Sequence, residues 1–136
     1  MQGGTFLLPR HPYNTEDCRA VSEILQRVGD KWTVLVVGKL GGGAMRFNEL
    51  RAAVGGISQK MLTTTLRGLE RDGFVTRKVF PTIPPRVDYE LTELGHELLV
   101  PVGALGEWAR KNTQRVKAAR AKFDEMQSYG RFFPTT

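Results

Sequence analysis

The chain has 136 residues, enough for one domain that buries its own core without disulfides or metals. Its formal net charge of +6 favours an anionic partner such as nucleic acid or a membrane surface, without defining a fold. A single cysteine excludes an internal disulfide. With no basic n-region and no apolar run long enough for a membrane span, the sequence predicts a cytoplasmic protein without a membrane partner.

Three helices are predicted in the first part of the chain, after a flexible N-terminus over residues 1–14. Thr15 is predicted to cap the first helix, Asp30 the second and Asn48 the third, because such side chains accept the unpaired N–H groups of a first turn. Glycines that follow each helix are expected to end it. The apolar stripe of the first helix is formed by Val21, Ile24, Leu25 and Val28.

A fourth helix is predicted for QKMLTTTLRGLER, with Ser58 as its cap and Gly73 just beyond its end. The apolar residues of this segment recur at helical spacing and are expected to form its buried side. They are Met61, Leu62, Leu66 and Leu69.

A β-hairpin is predicted next, because FVTRKVF and RVDYEL alternate in polarity and the PTIPP segment between them makes a rigid turn. One face of the second strand is expected to carry Val87, Tyr89 and Leu91, and the other Arg86, Asp88 and Glu90. Thr92 is predicted to cap a last helical region that runs to about Tyr129 and that Pro101 should kink or split. The predicted fold is mainly α with a small β-hairpin (α+β), a winged helix-turn-helix.

The exposed side of the fourth helix, opposite Leu62 at about 100° per residue, carries hydroxyl and cationic side chains. They are Lys60, Thr63, Thr64, Arg67 and Arg71, with Ser58 and Gln59 at the N-terminal tip. Short threonines allow close approach to base edges, Gln pairs with adenine, and Arg or Lys pairs with guanine. The pattern predicts a recognition helix that enters a DNA major groove by its N-terminal end. An ordinary solvated helix surface is the alternative interpretation.

Cations of the hairpin are predicted to hold the DNA phosphates on either side of that groove, together with one cation before the third helix. They are Arg77, Lys78, Arg86 and Arg46. The predicted partner is therefore double-stranded DNA. The alternative function is a winged-helix protein-interaction module whose exposed helix docks an acidic partner protein.

Several longer motifs occur together and in order: GDKW, RFNEL, GISQKMLT, LRGLERDGFVTR and PPRVDYELTELG, followed by Trp108. In these motifs the sequence resembles the HxlR-type family of winged helix-turn-helix transcriptional regulators, relatives of the MarR group, over about residues 18–109. The resemblance implies a cytoplasmic, homodimeric regulator that pairs through its N-terminal and C-terminal helices and binds a two-fold related operator, with the recognition helix at 58–71 and the wing at 74–91. We predict a transcriptional repressor.

The predicted winged-helix domain spans residues 15–109, and a basic C-terminal helical extension and tail follow over residues 110–136. The segment RKNTQRVKAARAK, residues 110–122, contains six cations and no acid. It has two interpretations, contacts with flanking DNA phosphates or a solvated helix face at the edge of the dimer. The resemblance does not extend to this segment.

Two features are candidates for regulation. Cys18 lies where this family commonly has a cysteine, which senses electrophiles or oxidants in some members. The helix N-terminus and Arg19 favour a thiolate there, Glu16 and Asp17 oppose it, and a structural cysteine is the alternative. Trp32 and Trp108 fit core or interface packing, although a small-molecule effector between the dimer helices is the other interpretation.

The sequence does not predict an enzyme. His11 and His96 are far apart, and with a single cysteine they give no metal-ligand spacing. The Gly41–Gly43 run follows a helix and lacks the Lys-Ser/Thr pair of a phosphate-binding loop. Neither a cofactor nor a metal site is expected.

Overall fold

The structure, a computed structural model, describes residues 15–132, and the expected flexible N-terminus lies outside the described residues. The helices are α1 (Thr15–Val28), α2 (Lys31–Leu40), α3 (Phe47–Val54), α4 (Gln59–Arg71) and α5 (Glu93–Phe132). The strands are β1 (Met45–Arg46), β2 (Val75–Phe80) and β3 (Arg86–Leu91). They form an antiparallel sheet in the order β1-β3-β2 beside α4, so the hairpin and the predicted recognition helix belong to one body.

Side-chain caps begin three of the helices as predicted. The Oδ1 atom of Asp30 accepts the N–H groups of Trp32 at 2.8 Å and Thr33 at 3.3 Å. The Ser58 hydroxyl accepts the N–H of Met61 at 3.0 Å, and the Thr92 hydroxyl accepts that of Gly95 at 3.0 Å.

The predicted cap of α3 is wrong. The helix already includes Phe47, and Arg46 occupies the cap position with extended backbone. The Glu49 carboxylate accepts the Arg46 N–H at 2.9 Å, and no side chain caps the N–H groups of the first turn. An acid at this place in the first turn pairs the backbone of the residue in the cap position.

The hydrophobic core lies between α2, α3, α4 and the start of the sheet. Its fully buried apolar side chains are Val36, Val37, Leu40, Leu50, Leu62, Leu66 and Leu69. On α4 the core includes Thr65, whereas Met61, predicted to be buried, is 42% exposed. At about 100° per residue Thr65 lies within 60° of Leu62, whereas Met61 lies 100° away, on the side of the buried Gly68 but in the first turn of the helix. Position in the helix therefore overrides hydrophobicity at these two residues.

The sheet has one more strand than the predicted hairpin. Strand β1 is two residues long, too short to show alternation, and pairs Met45 with Tyr89 and Arg46 with Asp88. Strands β2 and β3 pair from Val75↔Leu91 to Phe80↔Arg86. The short strand adds Arg46 to the wing, beside the other cations of the sheet.

Helix α5 is continuous through Pro101, so of the two predicted effects the split does not occur, and the kink stays a prediction. Proline removes the hydrogen bond to the carbonyl of Glu97, but both residues are exposed and water can pair with that carbonyl. Val102 is the last residue of α5 that is buried in the protomer, and the helix beyond it is largely exposed. No helix in the described part of the chain is both long and apolar enough to cross a membrane.

Candidate nucleic-acid interface

The start of α4 and its outward side carry the predicted DNA-binding side chains of this helix. All seven are exposed: Ser58, Gln59, Lys60, Thr63, Thr64, Arg67 and Arg71. Because the Ser58 hydroxyl takes the Met61 N–H, the N–H groups of Gln59 and Lys60 point out of the helix start. A helix N-terminus of this kind, with a cation in the first turn and no acid, favours an anion.

The exposed residues of α4 divide between two sides of the helix. Lys60 and Thr64 point away from the body, whereas Thr63, Arg67 and Arg71 line the side that faces the wing. The Thr64 hydroxyl donates to the Lys60 carbonyl at 3.0 Å, so its methyl group forms the outer surface. That arrangement suits van der Waals contact with a thymine methyl.

A cleft of about 600 Å³ separates α4 from the wing. Its lining comprises Thr63, Leu66, Arg67, Glu70, Arg71, Arg77 and Tyr89. Arg77 is the only predicted phosphate contact of the hairpin that lines this cleft. Successive strand residues point to opposite faces, so Lys78 points away from it.

The outer face of the sheet carries the other three predicted phosphate contacts, Arg46, Lys78 and Arg86, beside Asp88 and Glu90. The Nε and Nη2 atoms of Arg86 each donate to a different carboxylate oxygen of Asp88, both at 2.9 Å. The Arg86 guanidinium also lies 5.2 Å from the centre of the Phe80 ring. The Lys78 ammonium is 3.8 Å from the Glu90 carboxylate. The surplus of positive charge on this face is therefore small.

The carboxyl group of Asp88 is held in its ionised form. The hydrogen bonds from Arg86 lower its pKa, burial opposes that shift, and the charges of Arg86, Arg46 and Lys78 add to the lowering. The Asp88–Arg86 pair is a fixed part of the wing at neutral pH, which the prediction of Arg86 as a phosphate contact did not anticipate.

An ion pair outside the predicted site fixes the far end of α4. The Nε atom of Arg27 in α1 lies 2.8 Å from the Asp72 carboxylate. The guanidinium crosses α4 at Gly68, where any Cβ would collide with it. The sequence signals are an acid at the helix end and a glycine inside the helix, but neither identifies a partner 45 positions away.

The candidate regulatory residues lie away from this interface. Cys18 is exposed in the first turn of α1. Trp32 packs half-buried against the core, and the Lys31 ammonium lies 4.4 Å from the centre of its ring, whereas Trp108 is 58% exposed. A groove of about 870 Å³ runs between α1, the end of α4 and the start of α5. The binding of a small-molecule effector between the dimer helices stays a prediction. Among the described residues no group of three or more His, Cys, Asp or Glu could hold a metal ion.

Comparison with known proteins links this geometry to a family. The model of the HxlR-like helix-turn-helix family matches residues 27–117. YtfH of Escherichia coli (strain K12), named as an HTH-type transcriptional regulator, is 43% identical over 98 residues, which are 72% of this chain and 78% of YtfH.

Solved structures of regulators resemble this chain in fold. The redox regulator HypR in its reduced form superimposes with a TM-score of 0.68 at 38% identity, covering 73% of this chain and 98% of HypR. HypR has also been solved in its oxidised form. The transcriptional regulator YodB of B. subtilis in its reduced form gives a TM-score of 0.60 at 35% identity, covering 68% of this chain and 90% of YodB.

Proposed function

Because the chain belongs to the HxlR-like helix-turn-helix family of DNA-binding transcriptional regulators, we propose that it is a sequence-specific repressor that binds a two-fold related operator as a homodimer. The observation that carries the proposal is the exposed side of α4, whose leucines are buried together with Thr65, while Thr63, Thr64 and the cations face outward. A recognition helix requires this division, since its outer side must enter a major groove.

Base recognition is proposed for the N-terminal half of α4. Gln59, Lys60 and Thr64 are exposed at the tip and on the outward side, where they reach base edges first. Ser58 and Thr63 flank them. Arg71 and the wing cations Arg46, Arg77, Lys78 and Arg86 are proposed to hold the backbone, with Lys78 and Arg86 weakened by their acidic partners.

Dimer formation is proposed to involve α1 and α5. Ile24 and Leu25 on α1 are 55% and 58% exposed, and Leu105 and Trp108 are exposed on α5. Apolar side chains that lie side by side on a surface mark an interaction site. A two-fold axis through these helices would place two α4 helices on successive major grooves, about 34 Å or a multiple apart.

Regulation by oxidants is proposed to act through Cys18. The support is its exposure in α1, one of the proposed dimer helices, together with the similarity to HypR, a redox regulator. An oxidant such as diamide would accept two electrons and two protons as Cys18 forms a disulfide with a second thiol, either Cys18 of another copy or a small thiol. We expect diamide to release operator DNA from the wild type and not from Cys18→Ser. Equal release from both would remove this role.

Selection of bound genomic fragments, followed by sequencing, tests DNA recognition. We expect a two-fold related motif and a loss of about 1–3 kcal/mol at one base position of each half-site for Lys60→Ala. Lys39→Ala is the matched control, since it removes the same charge from an exposed site on α2. If competitor DNA displaces the protein equally from every fragment, the result would favour the protein-interaction alternative.

A further inference from the structure

We propose that Arg67 and Arg77 bind one and the same phosphate of the operator backbone, which enters the cleft between α4 and β2. The inference rests on the proposed function and refines it, because it assigns Arg67 to the backbone, whereas the sequence predicted that it reads a base. It also makes Arg77 the main phosphate contact of the wing.

The two arginines approach the cleft from opposite walls. Arg67 extends from α4 and Arg77 from β2, and both line the same space of about 600 Å³. Tyr89 pairs with Arg77 across the sheet and stands on the same face, so with Leu66 it forms the floor. The Phe47 ring, 6.5 Å from the Tyr89 ring, supports that floor from behind. Cations on two walls above an apolar floor leave room for one anion between them.

In the part of the chain that the structure describes, Arg67 and Arg77 line the cleft without an acidic partner, unlike Arg71, Lys78 and Arg86, whereas Lys60 and Arg46 are also unpaired but do not line the cleft. Arg86 is bound to Asp88, Lys78 lies near Glu90, and Arg71 lies 3.8 Å from Asp72. Within the described residues, neither Arg67 nor Arg77 has a carboxylate within 4.0 Å. Their charges are therefore not neutralised locally and remain available for an external anion.

The chemistry of the lining suits a phosphodiester. A guanidinium offers paired N–H donors that match two phosphate oxygens, and two guanidinium groups can share one phosphate because it has several acceptor sites. Thr63 adds a hydroxyl on the same rim, one turn before Arg67. Glu70, the only acid that lines the cleft, lies one turn past Arg67. Arg71 also lines that end, but Glu70 and the Asp72 carboxylate at 3.8 Å offset its charge, so the Thr63 end is the more positive. A phosphate is therefore expected at the Thr63 end.

Operator duplexes in which one phosphate at a time is replaced by an uncharged methylphosphonate test the inference. We expect wild-type binding to weaken at several positions in each half-site, and one of them is the phosphate held in the cleft. Arg67→Ala and Arg77→Ala should each bind the unmodified operator more weakly, and each should become insensitive to replacement at that same position. Lys78→Ala is the control, since it removes a wing cation from the outer face and should keep the wild-type sensitivity there.

The salt dependence gives a second, independent readout. The slope of log K against log salt falls by about 0.9 for each phosphate that loses its neutralising contact. If both arginines serve one phosphate, the double variant should lose about 0.9 of slope per half-site, because only one phosphate loses its neutralising contacts. A loss of about 1.8, the value for arginines on two different phosphates, would overturn the inference.

The possible failures are distinguishable. Wild-type protein without sequence preference would contradict the proposed function itself. Specific binding in which Arg67→Ala and Arg77→Ala lose sensitivity at different phosphates, or in which Arg67→Ala changes the preferred base instead, would overturn only the shared phosphate. The variants Arg67→Lys and Arg77→Lys keep the charge without the paired donors, and should show reduced sensitivity at the same position. Full sensitivity in both Lys variants would likewise contradict the shared, paired contact.

Discussion

Asp88 is an acid placed among the cations of a proposed DNA-binding wing, and its contacts explain why it is there. It orients the Arg86 guanidinium with two hydrogen bonds while Phe80 lies against that group. A free arginine side chain would lose rotamer entropy on binding DNA, whereas this one is already ordered. Asp88 therefore reduces the attraction of the outer face for phosphates but gives that face a defined shape.

Asp88→Asn should destabilise the fold in a pH-dependent way. The pKa of Asp88 is lowered from an ordinary value of 3.8, so the folded state stabilises the ionised carboxylate through its contacts with Arg86. The contribution to the free energy of unfolding is present above pH 3.8 and is lost as the pH falls through the lowered pKa. Thermal unfolding of the wild type and of Asp88→Asn, measured from neutral to acidic pH, should show their difference in melting temperature disappear in acid. A difference of constant size would mean that the charge of Asp88 does not stabilise the fold.

At the scale of elements, the start of α5 packs so closely on β2 and β3 that only glycine fits at position 95. A Cβ there would collide with the backbone carbonyl oxygen of Phe74 and would lie 3.1–3.2 Å from side-chain atoms of Leu91. The Phe74 carbonyl also accepts the Thr92 N–H at 3.0 Å, so it cannot move freely. This contact fixes the angle between the wing and the long helix.

Gly95→Ala should therefore lower the free energy of unfolding by about 1–3 kcal/mol or more, because the clash involves backbone and no rotamer relieves it. Gly103→Ala is the matched control in the same helix, since a Cβ there meets nothing within 4 Å. The control should stabilise by about 0.5–1 kcal/mol through the lower backbone entropy of alanine. Denaturant unfolding measures both, and equal effects at the two sites would contradict the packing at Gly95.

Elements with a clear period or cap could be predicted from the sequence, and those defined by tertiary contacts could not. The caps Asp30, Ser58 and Thr92 follow from local hydrogen bonding. Strand β1 exists only because it pairs with β3, and two residues carry no period. Helix α5 continues past Pro101 because the affected turn is exposed, which a sequence pattern does not show.

The candidate site shows the same division. Helical spacing alone predicts the exposed side of α4. Alternation had already placed Arg86 and Asp88 on one face, so their pairing was within reach of the sequence. The Arg27–Asp72 pair and the cleft between Arg67 and Arg77 depend on how distant elements pack, and no local signal specifies them.

For the whole molecule, α5 is the dominant feature. Its 40 residues extend about 60 Å at 1.5 Å per residue, and only its first part packs on the winged-helix body. Beyond the body an apolar series recurs at heptad spacing, the pattern of helices that pack on another helix. Its members are Leu105, Ala109, Val116, Ala119, Phe123 and Met126, with Asn112 at the one polar position of the series. With the exposed stripe of α1, this surface is why we propose a second copy as the partner.

Ile24→Glu should dissociate the proposed dimer, because a carboxylate without a partner would be buried between the copies. Such a buried charge costs about 3–5 kcal/mol, at least a hundredfold in the dimer dissociation constant. Ser22→Glu is the control, since it introduces the same charge on the opposite side of α1. Analytical ultracentrifugation should show the first variant shifting to monomer and the second unchanged.

Binding of Ile24→Glu to the two-fold operator should weaken in parallel, while an isolated half-site is bound as before, since each protomer keeps its own α4. Dimers that persist in Ile24→Glu would place the interface elsewhere, and a monomeric wild type would contradict the two-fold arrangement.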